Sequence, residues 1–172
     1  MTVVFDTNVI VAALLTNGLC HECFRRAVRR RLLASSPALL KELESTVRRK
    51  FAVTAAAEAF LGALRDRVRL VDPIPLPARV CRDQDDDLVL ATAMAAGADL
   101  IVTGDQDLLV LGTYEGMRLV TPRQYLEWLD GNEHAKFVDD AEMAEVSDDD
   151  ALIRRLRTGS RQARQRKGHF VD

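Results

Sequence analysis

CRDQDDDLVLATAMAAGADLIVTGDQDLL, residues 81 to 109, holds the decisive pattern of this chain. Asp83, Asp85, Asp86 and Asp87 run straight into an apolar stretch. That stretch reads as a buried helix over roughly Asp86 to Ala96, stopped by Gly97, a residue suited to the left-handed helix end. Leu100-Ile101-Val102-Thr103 is then a short, continuously apolar run, the signature of a strand buried on both faces. Gly104 and Asp105 follow at once. A helix that feeds a doubly buried strand is half of a parallel α/β unit, with an acid at each end of the pair.

The same alternation extends in both directions. Val3-Val4-Phe5 reads as a buried strand with Asp6 at its tip, and Asn8 is placed to cap a helix carrying Val9, Ile10, Ala13 and Leu14. A second helix, about Leu19 to Arg30, sets Cys20, Phe24, Ala27 and Val28 against Arg25, Arg26, Arg29 and Arg30. Leu32-Leu33-Ala34 is a second strand. Ser36-Pro37 opens a helix with Ser at the cap and Pro in the first turn, and Leu39, Leu40, Leu43 and Val47 are its buried stripe. Another amphipathic helix covers about Thr54 to Arg67. Leu70-Val71 is a third strand, and the proline-rich 72–77 segment is a loop. Leu119-Val120 reads as the last strand, and Pro122 opens a closing helix with Tyr125, Leu126 and Leu129. Strands alternating with helices predict an α/β fold with a mostly parallel sheet covered on both faces.

With 172 residues and 48 % hydrophobic content, the chain can build one ordinary domain and its core. The formal net charge of −2 gives no global attraction for nucleic acid or membrane, so any basic binding face is local. No apolar run is long enough to span a bilayer. The opening Met1-to-Asp6 segment lacks a basic leader, and the expectation is a soluble, cytoplasmic protein without membrane contact. Three cysteines, Cys20, Cys23 and Cys81, suit a reducing compartment. Composition changes near Asp130. Residues 133 to 150 are acidic, and residues 154 to 167 reverse the sign with Arg154, Arg155, Arg157, Arg161, Arg164, Arg166 and Lys167. The expected division is a domain over 1–130 and a charged C-terminal tail over 131–172. The tail carries one short helix near Ala151 to Arg157 and is either regulatory or disordered.

Chemistry in an open parallel sheet gathers at the carboxyl ends of its strands. Asp6 ends the first strand, Asp105 follows the strand 100–103, Asp86 begins the helix leading into that strand, and Glu42 lies on the helix after the second strand. Two carboxylates about 5 Å apart repel by roughly 3 kcal/mol at an effective dielectric near 20. Four of them together need a proton, an arginine or a metal. An all-oxygen set favours Mg²⁺ or Mn²⁺ over zinc. Each acid also has a plain structural reading. Asp6 can cap the first helix, Asp83 or Asp85 can cap the later one, Glu42 can be solvated, and Asp107 can close the turn after Asp105. Only their joint placement favours a metal.

With these residues in view, the sequence resembles the PIN-domain ribonucleases, in particular the VapC-like toxins of bacterial toxin–antitoxin systems. VVFDTNVIVAALL (3–15), SSPALLKELESTVRR (35–49) and the 81–109 stretch carry the likeness, which spans about residues 1 to 129. The resemblance implies a three-layer α/β/α domain and metal-dependent endonucleolytic cleavage of RNA. It assigns Asp6, Glu42, Asp86 and Asp105 as catalytic metal ligands for Mg²⁺ or Mn²⁺. Asp83 and Asp107 stand second in rank. Asn8 is expected to hold the Asp6 carboxylate with its side-chain amide, and Thr103 to bond a bound water or phosphate. Gln84 departs from the proline often found in relatives. Arg48, Arg49 and Arg82 are candidates to hold the RNA backbone. A cognate antitoxin and homodimerisation are further implied partners, and the basic 154–167 segment is a candidate cover for the acidic pocket.

Other classes fit less well. A signalling receiver domain needs a lysine after a late strand, where this chain has Thr121-Pro122-Arg123. A haloacid-dehalogenase-type phosphatase needs Asp-x-Asp, where this chain has Asp6-Thr7-Asn8. An inactive RNA-binding PIN module is the nearest alternative: such modules usually lack some ligands, and all four positions are filled here. Cys20-His21-Glu22-Cys23 has no second cysteine pair, so packing is favoured over zinc.

Overall fold

The computed structural model describes residues 1–51 and 55–133. The tail's sign reversal and its short helix near Ala151 lie outside the described residues.

The elements run β1 (Val3–Phe5), α1 (Thr7–Leu15), α2 (Leu19–Arg29), β2 (Leu33–Ser35), α3 (Pro37–Phe51), α4 (Ala55–Arg67), β3 (Arg69–Leu70), α5 (Gln84–Ala96), β4 (Leu100–Val102), α6 (Gln106–Leu109), β5 (Thr113–Tyr114), β6 (Met117–Val120) and α7 (Pro122–Glu133). The six strands form one sheet in the order β3-β2-β1-β4-β6-β5. All pairings are parallel except β5 with β6. This is the mostly parallel α/β sheet that the alternating pattern predicts.

Strand periodicity sorts the side chains into two cores. Val3, Phe5, Leu100 and Val102 face one side and pack with Val9, Leu14, Phe24, Leu43, Phe60, Tyr125 and Leu129 of α1–α4 and α7. Val4, Ala34, Ile101 and Leu119 face the other side and pack with Val89, Leu90 and Ala93 of α5 and Leu108 of α6. Helices therefore cover both faces, which makes the three layers. Phe5 anchors the first core, with its ring edge-on to Phe24 at 6.1 Å and to Tyr125 at 5.6 Å.

The chain builds outward from β1 through β2 to β3, then returns to place β4 on β1's other side. Such a reversal of strand order opens a crevice beyond the carboxyl ends of the two central strands, here β1 and β4. Asp6 follows β1 and Asp105 lies three residues past β4.

Several local readings are corrected. Asp6, not Asn8, caps α1: its side chain accepts the Asn8 backbone N–H. Helix α5 starts at Gln84, two residues early, because Asp83 caps it through the Asp85 N–H. β6 begins at Met117, and the unread β5 pairs with it through a tight turn at Glu115 and Gly116, both at positive φ. Paired positive φ values match a type I′ hairpin, whose twist suits two antiparallel strands. Gly97, at φ +56, ends α5 as its sequence implies, and Ser36 Oγ accepts the Leu39 N–H at the start of α3. Among the described residues, no helix is long and apolar enough to cross a membrane.

Candidate active site

Asp6 is 6 % exposed at the tip of β1. One carboxylate oxygen accepts the Asn8 backbone N–H at 3.0 Å, and the other accepts the Thr103 hydroxyl at 2.8 Å. Asn8 thus supports Asp6 through its backbone, and its side chain is exposed. Thr103 is fully buried, and its hydroxyl also accepts the Asp105 N–H at 2.9 Å. The hydroxyl has one proton, and Asp6 receives it. Its role in the structure is to tie the two central strand ends together.

Asp105 is exposed and caps α6, accepting the Asp107 N–H on Oδ1 at 2.8 Å. Asp107 is exposed beside it. Glu42 is half-buried on α3 and accepts the hydroxyl of buried Thr7 at 3.1 Å. Burial raises the Glu42 pKa, with the charges of Asp85, Asp6 and Asp83 adding to it and the Thr7 hydrogen bond opposing it. The Asp86 carboxyl is pushed up to about 6, first by burial and then by Asp105, Asp6, Asp83 and Asp107.

Asp6 and Asp83 act on both Glu42 and Asp86, and Asp105 and Asp107 act on Asp86, so Asp6 is the candidate ligand common to both shifted groups at the β1–β4 crevice. The charges acting most strongly on Glu42 and Asp86 are all other carboxylates. Oxygen donors carrying excess negative charge fit a hard divalent cation. Among the described residues, no three His, Cys, Asp or Glu side chains already form a cage for a metal ion. The chemistry of the set fits such an ion, and the ligand shell is not preassembled.

Asp85 was not singled out as a candidate, yet it leads the charges acting on Glu42. Its clue was register: it lies one residue before Asp86 in a first helical turn. Thr7 was also missed, though a hydroxyl directly after the first acid is a visible signal. Asp87 accepts the Val80 N–H at 3.2 Å and the Cys81 N–H at 2.7 Å, holding the loop before α5. Arg48 is not free for a phosphate. Its guanidinium pairs with Glu58 of α4 at 2.9 Å. Arg82 is exposed in the α5 approach, where it lines a groove with Arg79. Cys20 and Cys23 are free thiols, and Cys23 is fully buried against the Pro122 carbonyl at 3.0 Å, in keeping with packing.

Residues 2–107 match the family model described as PIN domain, and this span contains all four candidate ligands. No curated protein and no solved structure matches the chain significantly. PIN domains are generally nucleases that use divalent metal ions, and this chain has their nuclease-type fold. The chain belongs to the PIN-domain family.

Proposed function

We propose that the protein is a Mg²⁺- or Mn²⁺-dependent endoribonuclease whose ligands are Asp6, Glu42, Asp86 and Asp105. One observation carries the reading. Asp6, held on both oxygens at the tip of β1, lies beside an Asp86 carboxyl that burial and the charges of Asp105 and Asp6 push up, in a PIN-domain fold. Such crowding stabilises nothing by itself.

A divalent ion bound there supplies charge to neutralise the scissile phosphate and to acidify a water. The chain's residues supply position. Asp6 is held on both oxygens, so its direction is fixed before an ion arrives. Thr7 orients Glu42, and the α6 cap orients Asp105. Water adds to phosphorus, the bond to the 3′ oxygen breaks, and that oxygen takes up a proton. The products are a 3′-hydroxyl and a 5′-phosphate.

The toxin role, the cognate antitoxin and homodimerisation rest on the resemblance to VapC-like proteins. Residues 154–167 are proposed to cover the acidic crevice by charge complementarity, either within one chain or between protomers. The test of the activity is metal-dependent cleavage of a mixed RNA pool, read by end sequencing. Wild type should produce defined ends, and Asp6→Asn should produce none. Equal cleavage by both would defeat the proposal and favour an RNA-binding module without this chemistry.

A further inference from the structure

Helix α2 and the turn after it concentrate positive charge. Residues 19–31 hold five arginines, Arg25, Arg26, Arg29, Arg30 and Arg31, against one acid, Glu22. Glu22 and Asp130 engage the first two. The negative end of the helix dipole favours cations in the last turn, which accounts for part of the set. It does not account for Arg31. That residue stands at φ +51, one past the helix cap, where the Arg31 N–H bonds the Val28 carbonyl at 3.0 Å and the Leu32 N–H bonds the Ala27 carbonyl at 3.1 Å. This is the helix ending in which glycine is favoured. An arginine is kept there against the backbone's preference.

This basic end lies away from the candidate active site. The Leu32 carbonyl accepts the Val3 N–H at 2.9 Å, and β2 begins at Leu33. Arg29 to Arg31 therefore sit at the amino ends of β1 and β2, whereas Asp6 and Asp105 follow the carboxyl ends of β1 and β4. Helix α7 leads the chain to the same place. The carbonyl of its first residue, Pro122, accepts the Cys23 thiol at 3.0 Å, and Asp130, about two turns on, bonds Arg26 at 2.5 Å. Both contacts advance in the same sense along α2, so α7 delivers Glu133 toward Arg29, Arg30 and Arg31.

We propose that residues 139–150 of this chain dock on the basic end of α2. They hold seven acids and no lysine or arginine among twelve positions. Residue 139 is nine positions past Asp130, a reach of up to about 30 Å, while Arg29 lies about 5 Å beyond Arg26 along the helix axis. The tether therefore reaches with slack, and its shortness raises the local concentration of the acids to about the millimolar range. Carboxylates meet guanidinium forks two oxygens at a time. Opposite charge and the exit point of α7 favour this occupant over RNA, which must compete from free solution. The docking uses the end of the sheet opposite the crevice and is independent of the nuclease chemistry.

The test is fluorescence anisotropy of a fluorescein-labelled RNA oligonucleotide with the 172-residue chain in EDTA, where the oligonucleotide serves as a competing polyanion. Replacing the seven acids of 139–150 by their amides should uncover α2 and tighten binding about tenfold or more near 100 mM salt. The gain should vanish when Arg29→Gln, Arg30→Gln and Arg31→Gln are added, and persist with Arg29→Lys, Arg30→Lys and Arg31→Lys. Circular dichroism melts verify folding. Arg31→Gly suits φ +51, removes one charge without backbone strain, and should take away part of the gain. No gain on neutralising the acids would overturn the proposal. So would a gain that survives loss of the three arginines, which would pair the acids with residues 154–167 instead. Tight wild-type binding with the same arginine dependence would overturn it too, making RNA the occupant of this face.

Discussion

The Thr103 hydroxyl bridges Asp6 and Asp105: it donates to the Asp6 carboxylate at 2.8 Å and accepts the Asp105 N–H at 2.9 Å. One buried oxygen therefore sets the spacing of the two acids at the ends of β1 and β4. Thr103→Val keeps the shape and removes both bonds. Stranding the buried Asp6 acceptor costs about 1–3 kcal/mol, and the Asp105 N–H of an exposed residue adds less, so a drop of about 1–3 kcal/mol in urea unfolding is expected. Thr103→Ser should keep most of the stability and most of the cleavage rate.

Asp86 and Asp87 are adjacent and should behave oppositely. Asp86→Asn removes a crowded charge, so the metal-free protein should hold or gain thermal stability while cleavage is lost. Asp87→Ala frees two loop N–H groups and should lower the melting temperature. Thermal melts of both variants beside a cleavage assay check the contrast.

The raised Asp86 carboxyl gives a pH dependence with a definite sign. Its folded pKa, about 6, lies above its ordinary value of 3.8, so the folded chain binds the proton more tightly than the unfolded one. This group's penalty is absent below about pH 3.8 and complete above about 6. Its contribution should make the metal-free protein more stable as pH falls from 7 toward 5. Divalent ion affinity should fall over the same interval, because proton and metal compete. Denaturation midpoints with and without Mn²⁺ across that range measure both.

Helices α3 and α5 carry Glu42 and Asp86, and a buried hydroxyl pair joins them. Thr92 donates to Ser36 at 3.0 Å, with both residues fully buried. A double-mutant cycle of Ser36→Ala and Thr92→Val should give a coupling of about 0.5–1.5 kcal/mol. Mn²⁺ affinity should fall in each single variant if the pair sets the helix spacing.

Much of the fold was legible because burial writes itself into pattern. β1 and β4 are apolar without a break, and Gly97 and Pro122 punctuate helices where only such residues are favoured. β5 and α6 were missed because they span two and four residues, too short for any periodicity. The first helix start was misplaced by two residues because Asp6 and Asn8 are both good caps, and only the fold decides that Asp6 takes the position. Topology makes legible that Asp6 and Asp105 follow the ends of the two central strands. The supports of the acids were not legible: Thr7 on Glu42 and Thr103 on Asp6 join residues 35 and 97 positions apart. Arg48's engagement by Glu58 likewise depends on how α3 meets α4.

The most direct test of the central claim is calorimetric titration of Mn²⁺ into the metal-free 172-residue chain, with Asp6→Asn and Asp86→Asn alongside. Saturable binding to wild type, lost or weakened at least tenfold in both variants, is the expected result. No binding to wild type, or unchanged binding in both variants, would contradict a metal centre at the β1–β4 crevice.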